Sequence, residues 1–185
     1  MFNRFILLIV LRLIFIVAVG SSVSFGQSAD YVLDLDSSSL VFTIDEIGKR
    51  QVVGTFESFE GAISSSGDIT VLNGEINVDS LNTQSKMRDA QLKGRLFFNK
   101  KKYPLIAYEG EFVSENHVEG VLQVKGLVVP LSFDLSCPLI STSNENQLRL
   151  KTEFSIDRRE WGIVSYKKMI KNEVLVNLDL VFIKL

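Results

Sequence analysis

His117 is the only histidine of the chain and Cys137 its only cysteine. Nucleophilic or metal chemistry would have to be built from those two. A Cys–His pair needs them side by side, and nothing in the sequence orients either one. His117 follows Ser114-Glu115-Asn116, a turn-like stretch in which an exposed loop histidine is expected. Zinc takes three or four protein ligands, mostly histidine and cysteine, and they are not here. No Gly-x-Ser-x-Gly elbow occurs, and no glycine run matches a phosphate loop. Asp34 and Asp36, like Glu109 and Glu111, are carboxylates at i and i+2. On a strand that spacing puts both on one face, here read as solvated. The residue types therefore point away from an enzyme, and no catalytic, metal or cofactor residue is assigned.

Binding chemistry is better supplied. Phe42, Phe56, Phe59, Phe97, Phe98, Phe112, Phe133, Phe154 and Phe182 are many phenylalanines for one small domain. Phenylalanine has no polar handle, so each either packs a core or lines an apolar cavity. Arg88-Asp89 sits inside a short helical stretch, and Asp157-Arg158-Arg159-Glu160-Trp161-Gly162 follows an alternating run. Arginine makes bidentate contacts that pin loops, which accounts for both segments. Lys100-Lys101-Lys102 and Lys167, Lys168, Lys171 form two basic clusters. They read either as solvated surface or as a basic rim facing an anionic head group or membrane.

The elements that must position these residues are strands. Leu148, Leu150, Thr152, Phe154 and Ile156 alternate with charged or polar neighbours, and Val174, Val176, Leu178, Leu180 and Phe182 repeat the pattern. Period two over such lengths predicts strands with one dry face. Shorter runs do the same at Leu40-Phe42-Ile44, Ile76-Val78, Ile106-Tyr108-Phe112, Val118-Leu122-Val124 and Val129-Leu131-Phe133-Leu135. Polar turn clusters punctuate them, and Asn73-Gly74 reads as a tight hairpin. One helix is expected over about 85–94, and a second helical turn near 166–171. The expectation is an all-β fold of about eight antiparallel strands with one or two short helices, a sandwich or a closed barrel. An eight-stranded barrel either fills with side chains or holds one small ligand.

Residues 1–26 read as a secretory signal peptide. Arg4 precedes an apolar run from Phe5 to Val19, and small residues lead to a cleavage site before Gln27. The run is short for a spanning helix, which wants about 20 apolar residues. An uncleaved anchor is the other reading. Cleavage would leave residues 27–185 as one domain with 18 basic and 22 acidic residues, a net charge of −4. That excludes a general nucleic-acid binder. The expected location is periplasmic or secreted. With one cysteine no internal disulfide forms, and Cys137, among Leu135, Pro138 and Leu139, is expected to be a buried structural thiol.

In these segments the chain resembles the YceI-like family of polyisoprenoid-binding periplasmic proteins, over about Tyr31 to Leu185. The resemblance is carried by Tyr31-Val32-Leu33-Asp34, Ser38-Ser39-Leu40-Val41-Phe42, Val53-Gly54-Thr55-Phe56, Phe59-Glu60-Gly61, Ser80-Leu81-Asn82-Thr83, Arg88-Asp89-Ala90-Gln91-Leu92, Phe97-Phe98, Tyr103-Pro104, Gly120 to Pro130, and Asp157-Arg158 with Trp161-Gly162. Gln91 stands where the family often has histidine. Gln123 and Val128 replace usual threonines, and Val129 a common lysine.

The resemblance implies a lipocalin-like extended barrel around an apolar tunnel. The implied ligand is a long isoprenoid, either a quinone tail or a polyprenyl lipid, which would be the only bound cofactor-like group. It implies cavity lining by Phe42, Phe56, Phe59, Phe98, Tyr108, Phe112 and Phe133, with Arg88, Asp89 and Arg158 as pins near the polar end. Partners would be the lipid and, transiently, a membrane. The oligomeric state stays open between monomer and dimer. The rival reading is a filled-core structural or stress-related barrel that acts through a protein partner.

Overall fold

The alternating runs over 147–184 have the form their pattern dictates. In the computed structural model, β11 (Gln147–Asp157) and β12 (Ile170–Lys184) pair antiparallel from Gln147↔Ile183 to Asp157↔Glu173. The model describes residues 29–185 except 49, 137–139, 142–145 and 167. Cys137 and the 1–26 segment lie outside the described residues. The other strands are β1 (Tyr31–Leu33), β2 (Ser39–Glu46), β3 (Gln51–Phe56), β4 (Phe59–Ser66), β5 (Ile69–Asn77), β6 (Leu81–Asn82), β7 (Leu105–Ser114), β8 (His117–Val124), β9 (Leu127–Asp134) and β10 (Ile140–Ser141). They form one antiparallel sheet with one helix, α1 (Lys86–Leu92), beside it.

These twelve segments amount to about eight strands. β1 and β2 both pair with β12, through Val32↔Ile183 and Leu40↔Leu178, so they are one strand interrupted at 34–38. β3 and β4 run along β2 and β1, and β6 and β5 run along β3 and β4. The chain then meanders through β7, β8 and β9. Closure onto β11 comes from the Ser136 amide donating to the Lys151 carbonyl at 2.7 Å and the Thr152 hydroxyl to the Asp134 carbonyl at 2.6 Å. The all-β, lipocalin-like antiparallel barrel is therefore the architecture observed.

The three interruptions lie side by side. The Glu57 amide donates to the Ser80 carbonyl and the Asn77 amide to the Ser58 carbonyl, which joins the break at 57–58 to the one at 78–80. At the neighbouring break, the Ser38 hydroxyl accepts from the Val181 amide at 2.9 Å.

Two local expectations are corrected. Asn73-Gly74 is not a hairpin; it lies within β5, with Gly74 opposite Gly61. The tight reversals fall at Gly67, and at Lys125-Gly126, where both residues have positive φ (52° and 76°), the geometry of a two-residue hairpin turn. The expected second helix near 166–171 is only a turn, closed by the Met169 and Ile170 amides donating to the Tyr166 carbonyl. A 3₁₀ turn occurs earlier, at Arg158–Trp161, and ends at Gly162 with φ 66°. The expected helix is real but shorter, with Ser85 as its cap.

The interior divides along the barrel axis. At the upper end, Leu40, Phe56, Val78, Leu81, Phe97, Ile106, Val124, Trp161 and Ile163 form one buried cluster. At the lower end, Ile63, Leu72, Val118, Phe133, Leu135, Leu150, Leu180 and Phe182 form another. The connections 47–50, 78–104, 125–126 and 158–169 lie at the upper end, while the 67–68 and 115–116 turns and the Tyr31↔Lys184 pair lie at the lower.

Candidate functional site

The upper cluster rings a cavity of about 620 Å³ instead of filling the barrel. Inward positions of the strands make its wall. β12 contributes Val174, Val176, Leu178, Leu180 and Phe182, β2 contributes Leu40, Phe42 and Ile44, and β11 contributes Phe154 and Ile156. Alternation along each strand forces these side chains to one face. Room for the aromatics comes from glycine. A Cβ at Gly54 would overlap the Phe42 ring, and one at Gly110 or Gly120 would overlap the Tyr108 phenol.

Tyr108, Phe133 and Phe154 form an aromatic group in the lower part of the lining. Tyr108 and Phe133 rings lie 5.6 Å apart, and Phe133 and Phe154 stack at 5.1 Å. The Tyr108 hydroxyl donates to the Leu131 carbonyl at 3.3 Å, and burial pushes its phenol well above the ordinary value. Leu72, Leu180 and Phe182 of the lower cluster also line the cavity, whereas Ile63, Val118, Leu135 and Leu150 do not.

The top is polar. Glu46, Arg88, Gln91, Tyr166 and Lys168 reach the lining there, beside the exposed Ile47 and Met169. Gln91 Nε2 donates to the Tyr166 hydroxyl at 2.6 Å, which ties α1 to the 162–169 loop across the opening. The Tyr166 ring stacks on Phe97 at 5.6 Å.

Two arginines hold this rim in place. Arg158 is 4 % exposed, and its guanidinium donates to the carbonyls of Ile163, Ser165 and Lys171 at 2.6, 2.8 and 3.0 Å. Burial lowers its pKa from the ordinary value. Arg88 donates to the Thr83 hydroxyl and carbonyl at 2.8 and 2.7 Å. Asp89 Oδ1 accepts from the Thr83 amide and hydroxyl at 2.8 and 2.6 Å. Both α1 residues thus anchor the helix to the end of β6. Trp161, 2 % exposed, donates its indole N–H to the Leu122 carbonyl at 2.9 Å.

Of the residues singled out in the sequence, Phe42, Phe56, Phe59, Phe98, Tyr108, Phe133, Arg88 and Arg158 line the cavity. Phe112 does not. It shares the inward face of β7 with Tyr108 but lies four residues further down, where it packs against the lower cluster. Asp89 faces Thr83 and is not in the lining. Sequence reasoning missed Trp161, Gln91, Tyr166 and Met169, which come from connections that carry no periodic pattern. Phe154 and Phe182 could have been found, since both lie on the dry faces of strongly alternating strands.

The cavity offers little for catalysis. His117 is at the lower end, with Nδ1 2.6 Å from Asp134 Oδ1, outside the lining. Among the described residues no cluster of metal-binding side chains occurs. An apolar enclosure of this size suits a hydrophobic ligand, whose few polar atoms would meet groups at one end.

Comparisons with known proteins agree with this architecture. UPF0312 protein SA2479 of Staphylococcus aureus is 26% identical over 159 residues, 83% of this chain and 93% of that protein. The crystal structure of Burkholderia cenocepacia BcnA superposes with a TM-score of 0.70 at 18% identity, covering 80% of this chain and 98% of that one. A polyisoprenoid-binding domain from Saccharophagus degradans, implicated in plant cell wall breakdown, superposes with a TM-score of 0.69 at 15% identity, covering 85% and 100%. At those identities the two structures share the fold. The YceI-like domain model matches residues 31–182, and with the closed barrel around its apolar cavity this chain belongs to the YceI-like family.

Proposed function

We propose that the protein binds a long isoprenoid lipid, tail down against the aromatic floor and head group at the polar mouth, and carries or stores it without chemical conversion. The observation that carries this reading is the cavity itself: about 620 Å³, lined mainly by apolar and aromatic side chains, with Glu46, Arg88, Gln91, Tyr166 and Lys168 at the opening and Glu60, Asn73 and Glu75 on the β4–β5 wall. The polyisoprenoid-binding domain with the same fold supports an isoprenoid over other lipids. The filled-core alternative fits poorly with an enclosed volume of this size.

Burying a methylene is worth about 0.8 kcal/mol relative to water, so a long prenyl chain is not released into solvent as a monomer. Its competitor is a bilayer, also apolar. Transfer between bilayer and cavity is then close to balanced in hydrophobic free energy, which suits exchange of cargo. Residues 1–26 would direct export to the periplasm or outside the cell, where such exchange happens at membrane surfaces.

The test is mass spectrometry of lipid extracted from the protein after purification from a bacterial periplasm, with uptake of prenyl lipid from vesicles as a second readout. A stoichiometric isoprenoid is expected. A folded protein that carries no lipid and takes up none would overturn the reading.

A further inference from the structure

Charge is divided along the barrel axis. Among the described residues, the upper connections (47–50, 78–104, 125–126 and 158–169) hold twelve basic and three acidic residues. The lower turns and the residues before β1 hold Asp30, Asp68 and Glu115, with Lys184 at the end of β12 the basic residue beside them. The chain as a whole has a net charge of −2, so this is a separation of charge and not a basic protein. Several upper cations are taken: Lys93 and Lys100 pair with Asp79, Arg159 pairs with Asp157, and Arg158 is buried. Arg50, Lys86, Arg95, Lys101 and Lys168 have no ion pair among the described residues.

Exposed apolar side chains occur at both ends, with Ile69, Val113 and Leu185 at the lower one, but the larger group accompanies the upper cations. Ile47 is 59 % exposed, Met87 85 %, Leu96 58 %, Val164 57 % and Met169 59 %, all in the upper connections. Ile47 and Met169 also border the opening, and the Ile47 amide donates to the Met169 carbonyl. The Ser165 hydroxyl donates to the Leu96 carbonyl, which joins the remaining loops to that rim. Exposed apolar groups among unpaired cations are what an anionic bilayer surface accepts: the cations meet head groups while the apolar side chains enter the interface.

We propose that the upper end is a membrane-docking face, which sets the barrel mouth-down on an anionic lipid bilayer so that the cavity opens onto the acyl region. The occupant rests on charge complementarity and on continuity between the exposed apolar rim and the apolar cavity, and it depends on the reading of that cavity as a lipid site. Acidic residues at the far end oppose binding in the inverted orientation.

Two tryptophan reporters test the orientation against a constant background, since Trp161 is the only native tryptophan and is buried. I47W reports the upper end and I69W, at the start of β5, the lower. The probes are vesicles of phosphatidylcholine alone or with phosphatidylglycerol, free of isoprenoids. Expected are a blue shift of I47W emission on the anionic vesicles only, reversed by high salt, and no shift of I69W. The triple variant R50E/R95E/K101E, whose positions lie outside the cavity lining, should bind anionic vesicles on the order of 100-fold more weakly, from about fivefold per basic residue near such a surface. Equal shifts for both reporters, equal affinity of the triple variant with unchanged melting, or no binding to either vesicle would each overturn the proposal. Vesicle binding by a protein whose extract contains no isoprenoid would sink the cargo reading and leave the docking face standing; the reverse result would do the opposite.

Discussion

The rings of Phe133 and Phe154 stack 5.1 Å apart with planes 10° from parallel, and both line the cavity where it meets the lower cluster. The two side chains stand on neighbouring walls, where they would limit how far a bound tail reaches. F154A should remove one of the two stacked rings and open the cavity toward Leu148. The expected cost is about 3 kcal/mol of stability, with bound lipid shifted to longer chains. Denaturant unfolding and mass spectrometry of the extract read the two effects. An unchanged chain-length distribution would show that the floor does not set length.

Phe112 and Val176 should behave oppositely. F112A strikes the packed half and is expected to cost about 3 kcal/mol while the folded fraction keeps its lipid. V176W projects into the cavity wall and should displace lipid at a stability cost of about 1 kcal/mol. Lipid-to-protein ratio plotted against melting temperature separates the variants.

Arg158 serves the mouth through its carbonyl acceptors. R158M leaves the Ile163 and Ser165 carbonyls without their donor, and a cost of about 3 kcal/mol or more is expected. R158K cannot restore a planar fork. Hydrogen exchange should quicken most over 163–172, while β7 to β9 stay protected.

Gln91 and Tyr166 clasp the opening with one hydrogen bond at 2.6 Å. A net bond of about 1 kcal/mol corresponds to about fivefold in an equilibrium. Q91A should therefore speed lipid exchange with vesicles by about fivefold at nearly unchanged stability. Stopped-flow transfer of a fluorescent prenyl lipid measures it. A rate equal to the native one would mean that the loop opens independently of the clasp.

Acid should weaken the barrel through Asp179. Arg149 donates to both of its carboxylate oxygens, at 2.6 and 2.7 Å, and these bonds hold the carboxyl below its ordinary value of 3.8. A depressed folded-state pKa means the unfolded chain takes up the proton first as pH falls. The pair's contribution is present in full well above pH 3.8 and is lost as pH drops through the folded value. D179N should be less stable at neutral pH and should lose part of the native acid slope. Chemical denaturation between pH 2 and 7 tests this.

How much was legible in the sequence follows from which forces are local. Leu150, Phe154, Val176 and Leu180 announced their strands because period-two patterning is written along the chain. The family motifs led to Phe42, Phe56 and Phe133 in the wall. The failures have non-local causes. Phe112 and Tyr108 share one face and one residue class, and only the axial position of the floor separates them. Asn73-Gly74 has ideal turn chemistry, yet its glycine serves a tight inward position opposite Gly61. Trp161, Tyr166 and Met169 reach the mouth through turns whose path depends on Arg158 gathering carbonyls from the 163–165 loop and the start of β12.

The aligned breaks at 34–38, 57–58 and 78–80 amount to a crease running across three neighbouring strands. Along it the regular ladder gives way to isolated hydrogen bonds such as Glu57 to Ser80, while β2, β3 and β6 pair regularly above it. Small rotations along such a line disturb few backbone pairs, so the portions on either side can change their mutual angle while each keeps its own pairing. The floor built by Phe133 and Phe154 lies on the uncreased wall and has no such freedom. A vessel built this way would vary in girth more readily than in depth, and would discriminate cargo by length more sharply than by branching or cis–trans geometry along the tail.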